Sequence, residues 1–248
     1  MNNKVFLMDN INMENKTGIT VIMPVHLDGS NSKKYIRAVE SFRTQNHPVK
    51  ELIIVSDGCV HADWFYQNKW LSDPEITLVR VEKRTANWPG ELREVGRCLA
   101  KYDWITYLDA DDVIEPNHLE NINTAIHSRT LNETVLFNME LIVPITMLPT
   151  EGYLEYFQIT NEIYNELYAN ADSVEHVGKV LTGAWGSHSA TWQLTHHNSI
   201  AQRWKGSNEP DEAKSFIDMI KETETYMEFK GSYIICHLNV QQKVIFAV

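Results

Sequence analysis

Residues 104–112 read WITYLDADD, a short apolar run that ends in three carboxylates within four residues. The apolar part is typical of a strand that is buried on both faces of a parallel sheet. Carboxylates held this close together repel one another, so each must take up a proton or find a cation. The stretch therefore predicts a divalent metal and a phosphate-bearing substrate at the end of a buried strand, in an enzyme that acts on a nucleotide-linked donor.

Three similar apolar runs lie earlier in the chain, at residues 19–23, 52–55 and 76–81. They are rich in β-branched residues and fit strands of a parallel sheet, and we expect Pro24 to stop the first of them. Polar clusters follow the strand ends, among them Ser56-Asp57-Gly58. Because ligands bind outside the carboxyl ends of such strands, we expect these clusters to converge on one edge of the sheet.

Helical spacing separates the strands. The stretch that follows Ser32, a residue type suited to an N-cap, predicts one helix, and residues 90–100 predict another with Leu92, Val95 and Leu99 on its apolar face. The alternation of strand and helix predicts an α/β fold with a mostly parallel, doubly wound sheet and helices on both faces.

The second half of the chain is less regular and predicts an irregular C-terminal third. Its candidate strands are residues 135–139 and 233–235, its candidate helices are residues 156–168 and 211–221, and residues 181–194 mix small and aromatic types as binding clefts do. We expect the pair His196-His197 to lie on the surface. Residues 1–17 are predicted to form a polar lead-in and residues 18–248 a single domain.

Composition restricts the partners of this 248-residue chain. Lys and Arg number 22 against 33 Asp and Glu, so the net charge is −11, which disfavours a nucleic acid polymer or an anionic membrane as partner. The 3 cysteines form no CxxC pair and indicate neither a disulfide framework nor a zinc site. No transmembrane segment and no secretory signal is recognised, so we expect a soluble, cytoplasmic protein.

Four segments, taken in order, resemble the family-two glycosyltransferases with the GT-A fold: residues 20–26, residues 41–48, residues 51–58 and residues 107–112. The resemblance covers about residues 18–125, half of the chain. It implies a nucleotide-sugar donor, Mn²⁺ or Mg²⁺ as cofactor, and transfer to the hydroxyl of a saccharide or other acceptor. It also implies that residues 18–125 bind the nucleotide sugar and that residues 126–248 bind the acceptor.

Asp57 has two interpretations from its own position. A carboxylate at a strand end can accept hydrogen bonds from a nucleobase or ribose, whereas Asp57-Gly58 is also a common turn pair. The resemblance implies that Asp57 contacts the base, with Pro24 and His26 beside it. His26 stands where the family usually has Tyr, and Ser56 replaces a frequent Asp, so the base stays open and UDP is expected from family frequency alone.

The resemblance also implies that Asp109-Ala110-Asp111 is the DxD motif, which contacts the ribose, the metal and the diphosphate. An alternative for Asp112 is a capping box with Glu115, before a helix that begins near Pro116.

Arg93 could bind the donor diphosphate through its bidentate guanidinium. It could equally lie on a solvated helix face with Glu94 and Arg97 beside it.

An inverting transfer needs a carboxylate base for the acceptor hydroxyl. The family pattern, an acidic pair opening a helix, resembles Asp211-Glu212 followed by Phe216-Ile217, with Glu212 the better match and Asp218 a departure from the usual basic residue. Glu209 is a third candidate, and helix capping is the alternative role for all of them.

Three further residues complete the prediction. Trp185 and Trp192 could stack on the acceptor sugar or belong to the core. His237, near the last strand, is a candidate metal ligand by resemblance. The sequence thus predicts a metal-dependent, inverting glycosyltransferase of the hexosyltransferase type, with a nucleotidyltransferase or a catalytically inactive sugar-nucleotide-binding relative as the alternatives.

Overall fold

The computed structural model describes residues 16–26, 32–82, 89–144, 176–181, 191–204, 212–231 and 233–234. The helices in these ranges are α1 (Ser32–Arg43), α2 (Val60–Phe65), α3 (Gly90–Leu99), α4 (His118–Ser128) and α5 (Glu212–Thr223), with a π-helical turn at Tyr66–Trp70 and a 3₁₀ turn at Thr191–Gln193. The strands are β1 (Ile19–Val25), β2 (Lys50–Ser56), β3 (Ile76–Arg80), β4 (Trp104–Tyr107), β5 (Val113–Ile114), β6 (Val135–Asn138), β7 (Glu140–Pro144), β8 (His176–Leu181), β9 (Leu194–His197), β10 (Tyr226–Phe229) and β11 (Tyr233–Ile234).

Seven strands form the main sheet, in the order β10-β6-β9-β4-β1-β2-β3. Among the described strands of this sheet, only β9 runs against its neighbours, since it pairs antiparallel with both β4 and β6. The predicted α/β fold with a mostly parallel sheet is confirmed. The carboxyl ends of β1, β2 and β4 consequently lie together, and we call this border the carboxyl edge.

Helices cover both faces of the main sheet, as predicted. Buried apolar residues of α1 and α4 pack on the face that carries Val21 and Ile54, and those of α3 and α5 pack on the face that carries Ile22 and Val55. Leu99 was expected on the apolar face of α3, but its side chain is 54% exposed because it occupies the last helical residue.

Pro24 does not stop β1, which continues to Val25. Backbone groups alternate in direction along a strand. Ile22 accepts a hydrogen bond from the backbone of Leu108, and Val25 accepts one from Asp57. The nitrogen of Pro24, which carries no proton, therefore faces β4. The pairing of β1 with β4 ends at Ile22, so no hydrogen bond of the sheet is lost.

A smaller sheet of four strands, in the order β5-β11-β7-β8, begins directly after the carboxylates. The loop Asp109–Asp112 leaves β4 of the main sheet and enters β5 of the small one. The capping box suggested for Asp112 and Glu115 is wrong, because β5 intervenes and α4 begins only at His118 with Asn117 as its N-cap.

His196 is not on the surface. It lies fully buried in β9, where its pairing partners are Ile105 and Val135. Burial lowers the pKa of its imidazole to about 3, so the ring is neutral at physiological pH.

Some of the remaining predictions for the second half are confirmed, and others fall on residues that the structure does not describe. Strands at residues 135–138 and 233–234 and the helix from Glu212 are confirmed. Residues 1–15 and 156–168, and most of residues 181–194, lie outside the described residues. Within the described ranges, every helix is too short or too polar to cross a membrane.

Candidate functional site

Two side chains meet where β1 and β2 end. The Nδ1 atom of His26 lies 2.7 Å from the Oδ1 atom of Asp57, in hydrogen-bond contact. The register explains the contact, since Val25 pairs with Ser56 and the next residue of each strand is His26 or Asp57. The Asp57 side chain is 7% exposed and that of His26 is 51% exposed, so a nearly buried carboxylate lies beside a half-exposed imidazole.

Gly58 makes the turn that follows Asp57. Its φ of +83° is a conformation that residues with a Cβ seldom adopt. The Asp-Gly pair is therefore a turn, as one interpretation expected, and this turn sets the direction in which the Asp57 carboxylate faces.

Asp109 is held by side chains from three separate parts of the chain. Its Oδ1 atom accepts a hydrogen bond of 3.0 Å from Arg93 of α3, and its Oδ2 atom accepts one of 3.2 Å from the hydroxyl of Thr191. Its backbone N–H donates to the hydroxyl of Tyr233 at 3.2 Å. The carboxylate is thus fixed in orientation while 35% of its side-chain surface remains accessible.

Tyr233 connects both ends of the loop Asp109–Asp112, which we call the carboxylate loop. Besides accepting from Asp109, its hydroxyl donates to Oδ2 of Asp112 at 3.1 Å. Burial, together with the negative charges of Asp112 and Asp109, raises the pKa of Tyr233 well above its ordinary value, so the hydroxyl keeps its proton and remains a donor. Neither Tyr233 nor Thr191 was recognised from sequence, because both contact the loop from more than 80 residues away.

Arg93 does not lie on a solvated helix face. Its side chain is only 5% exposed, and its Cζ atom lies 5.0 Å from the ring centre of Trp204. The guanidinium therefore sits between a carboxylate and an aromatic ring. Its predicted contact with a diphosphate stays a prediction.

The carboxylate loop has the donor set that a hard cation prefers. Asp111 is partly exposed, and Asp109, two residues earlier, keeps 35% of its side-chain surface accessible. Among the described residues no three His, Cys, Asp or Glu side chains form a group that could hold a metal by themselves. Mg²⁺ and Mn²⁺ commonly use one or two carboxylates together with substrate phosphates, so the residues present fit such an ion.

The topology places the start of α5 near the same edge. Strand β10 runs parallel to β6 and hence in the direction of β1 and β4, and α5 ends at Thr223, just before β10 begins at Tyr226. A helix that leads into the amino end of a strand runs in the opposite direction. Glu212, the first residue of α5, therefore lies toward the carboxyl edge.

Several candidate residues lack a described position. Asp211, Glu209, Trp185 and His237 lie outside the described residues. Ala110 packs against the hydrophobic core, and Trp192 does the same with its ring centre 5.8 Å from that of Tyr233. Trp192 thus has the core position that one interpretation gave it.

The distance between the two carboxylate positions follows from the sheet. Asp57 extends β2 and Asp109 extends β4, and β1 lies between these strands. Two strand spacings amount to about 10 Å. Asp57 also lies two residues further along the strand direction than Asp109, because Ile53 and Tyr107 both pair with Ile22, and this stagger adds about 7 Å along the strands. The carboxyl edge thus presents two fixed carboxylates, one beside an imidazole and one beside a guanidinium, whose backbone positions are about 12 Å apart.

Residues 20–132 match the family model described as Glycosyl transferase family 2. Over 178 residues the chain is 24% identical to Glycosyltransferase GlyA of Streptococcus pneumoniae, a match that covers 68% of this chain and 24% of that protein. The chain thus spans about a quarter of the length of that relative.

Solved structures share the fold. The structure of S. aureus TarS 1-349 in complex with UDP-GlcNAc has a TM-score of 0.53 and 13% identity, covering 90% of this chain and 57% of that one. The mannosyltransferase PcManGT from Pyrobaculum calidifontis, in complex with GDP-Man and Mn²⁺, has a TM-score of 0.55 and 12% identity, covering 91% and 58%. These likenesses establish the GT-A type of fold.

Proposed function

Because residues 20–132 place the chain in glycosyl transferase family 2, we propose that it moves a sugar from a nucleoside diphosphate to an acceptor hydroxyl. The observation that carries this proposal is the pair of fixed carboxylates, Asp57 and Asp109, at the ends of β2 and β4. Their backbone positions, about 12 Å apart, suit one ligand that has a nucleoside at one end and a diphosphate at the other.

Asp57 is the proposed contact for the base. Its carboxylate accepts a hydrogen bond from His26, and a carboxylate can also accept the imide or amino N–H of a base. Pro24 and His26 line the same strand end. UDP is the proposed nucleotide from its frequency in the family, since the two structural neighbours hold UDP-GlcNAc and GDP-Man and so do not distinguish the bases.

Asp109, Ala110 and Asp111 are the proposed contacts for the ribose and diphosphate. Arg93 and Thr191 hold the two oxygens of Asp109 in place, so this carboxylate is preorganised for a ribose hydroxyl. Asp111, with Asp109 beside it and His237 as a further candidate, would hold Mn²⁺ or Mg²⁺. Such an ion neutralises charge on the departing diphosphate.

The proposed base is Glu212, with Asp211 as the neighbouring alternative. A carboxylate at the start of α5 takes the proton of the acceptor hydroxyl as its oxygen attacks the anomeric carbon, and the bond to the diphosphate breaks on the opposite side. This direct displacement inverts the configuration at the anomeric carbon. Acceptor contacts, including the candidate Trp185, are proposed for residues 126–248.

The base assignment has a matched control on the same helix. Glu212→Gln is expected to lower kcat by about 100-fold or more and to leave donor affinity within about threefold, because the carboxamide cannot accept the proton. Glu222→Gln, at the exposed far end of α5, is expected to change neither. Equal activity in Glu212→Gln and the unaltered protein would move the role to Asp211 or Glu209.

The function itself is tested by incubating the protein with UDP-glucose, UDP-N-acetylglucosamine and GDP-mannose, each with and without Mn²⁺. Release of nucleoside diphosphate that depends on Mn²⁺ is expected for at least one donor. Pyrophosphate release from a nucleoside triphosphate and a sugar 1-phosphate would instead indicate a nucleotidyltransferase. Binding of a donor with no turnover under any condition would indicate a catalytically inactive relative.

A further inference from the structure

Two side chains of α3, Arg97 and Glu94, hold residues 198–204 against that helix, and Glu94 accepts a hydrogen bond of 3.1 Å from the backbone N–H of Trp204. Arg97 is 2% exposed, and its Nε atom donates to the side chain of Asn198 at 2.9 Å. Its Nη2 atom donates to the backbone carbonyls of Asn198 at 3.0 Å and Ile200 at 2.7 Å, and Nη1 donates to the carbonyl of Gln202. This short segment, which includes Trp204, is therefore fixed relative to α3.

The indole of Trp204 is fixed by hydrogen bonds as well as by packing. Its side chain is buried, and its Nε1–H donates to the hydroxyl of Tyr107 at 2.7 Å. The Nδ1 atom of His196 faces its neighbour's backbone carbonyl and so carries the proton, which leaves Nε2 to accept from Tyr107 at 2.8 Å. A directed chain from Trp204 through Tyr107 to His196 thus sets the orientation of the ring.

Arg93 of the candidate site and Phe216 of α5 both contact this ring. The guanidinium of Arg93 lies 5.0 Å from the ring centre, and the same guanidinium binds Asp109. The ring of Phe216 stacks on Trp204, with 4.0 Å between ring centres and an angle of 26° between planes. Phe216 is one helical turn beyond Glu212, about 6 Å along α5.

We propose that Trp204 is a positioning residue that sets the spacing between Asp109 and the start of α5. The proposal rests on the function proposed above. Trp204 touches neither donor nor acceptor in this account, and it acts through Arg93 on one side and Phe216 on the other. Misplacement of reacting groups by about 1 Å can reduce a rate by about 100-fold, so a loosened contact here should lower kcat.

The test compares two buried tryptophans. Trp204→Leu removes the flat ring beside Arg93 and Phe216. Trp70→Leu is the matched control, since Trp70 is 1% exposed and packs against Tyr35 on the opposite face of the main sheet. Mn²⁺-dependent hydrolysis of the best nucleotide sugar is measured at a temperature where circular dichroism shows both variants folded. Trp204→Leu is expected to lower kcat by about 10- to 100-fold, by more than it raises KM. Trp70→Leu should leave both within about twofold.

Trp204→Phe keeps a stacked ring and loses the N–H donated to Tyr107. It is expected to restore most of the activity and to stay about three- to fivefold below the unaltered protein in kcat. If Trp204→Leu does not fold, the kcat of Trp204→Phe is the deciding measurement, and a value equal to that of the unaltered protein overturns the inference. Equal kcat in Trp204→Leu and Trp70→Leu overturns it as well. An unaltered protein that neither binds nor hydrolyses any donor overturns the proposed function and this inference with it.

Discussion

The hydroxyl of Tyr233 donates a hydrogen bond to Asp112 at 3.1 Å, across 121 residues of sequence. The same oxygen accepts from the backbone N–H of Asp109. One side chain of the small sheet therefore sets the shape of the loop that carries the three carboxylates, and the site at the carboxyl edge depends on both sheets.

Tyr233→Phe should destabilise the protein and weaken donor binding. The substitution leaves the buried carboxylate of Asp112 and the N–H of Asp109 without this partner, which costs about 1–3 kcal/mol. Tyr35→Phe is the matched control, because the buried hydroxyl of Tyr35 has no hydrogen-bond partner among the described residues. Chemical denaturation and UDP titration with Mn²⁺ measure the two effects. Equal stability of both variants would contradict the role given to Tyr233.

Asp57→Asn should weaken the binding of nucleoside diphosphates by about tenfold or more, which is about 1.4 kcal/mol or more. The amide keeps the size of the side chain, but it offers one acceptor oxygen in place of two and no charge for His26 or the base. Asp73→Asn, which alters a carboxylate paired with Arg43 far from the carboxyl edge, is the control. An affinity ratio of one between the two variants would remove Asp57 from the site.

Stability should fall as the pH drops below about 6.5, with His196 as one cause. Burial lowers the pKa of this imidazole to about 3, so between pH 6.5 and 3 the unfolded chain binds a proton that the folded protein does not. Within this window the imidazole of His196 makes the free energy of unfolding rise by about 1.4 kcal/mol per pH unit. Above pH 6.5 this group no longer lowers the stability.

The variant His196→Gln isolates that contribution. Its unfolding free energy should depend less steeply on pH between 6.5 and 4 than that of the unaltered protein, whereas His127→Gln, at an exposed position of α4, should keep the original slope. Guanidinium titrations at several pH values give the slopes, and parallel curves for all three proteins would exclude His196 as the cause.

Local patterns predicted the parts of the fold whose signal is local. Strands β1 to β4, and the positions of Asp57 and Asp109 after β2 and β4, follow from apolar runs that stop at polar residues. The run of β3 predicted a buried strand, but β3 lies at the edge of the main sheet, and Ile76 is its only buried residue. His196 was misplaced because a pair of histidines gives no sign of the antiparallel strand that carries it between β4 and β6.

The residues that hold Asp109 and Arg93 in place could not be predicted from local patterns. Thr191 and Tyr233 contact Asp109 only after distant segments have folded onto the sheet, and neither residue belongs to a motif. Arg93 was identified, yet its burial against Trp204 depends on a segment more than 100 residues later, which Arg97 fastens to α3.

The most direct test of a metal-assisted nucleotide site at the carboxyl edge is calorimetric titration of UDP into the protein with Mn²⁺ and with EDTA. The account predicts binding that requires Mn²⁺ and that Asp111→Asn weakens by about tenfold or more, while the exposed control Asp103→Asn binds normally. Binding of equal strength with EDTA, or in Asp111→Asn, would contradict it.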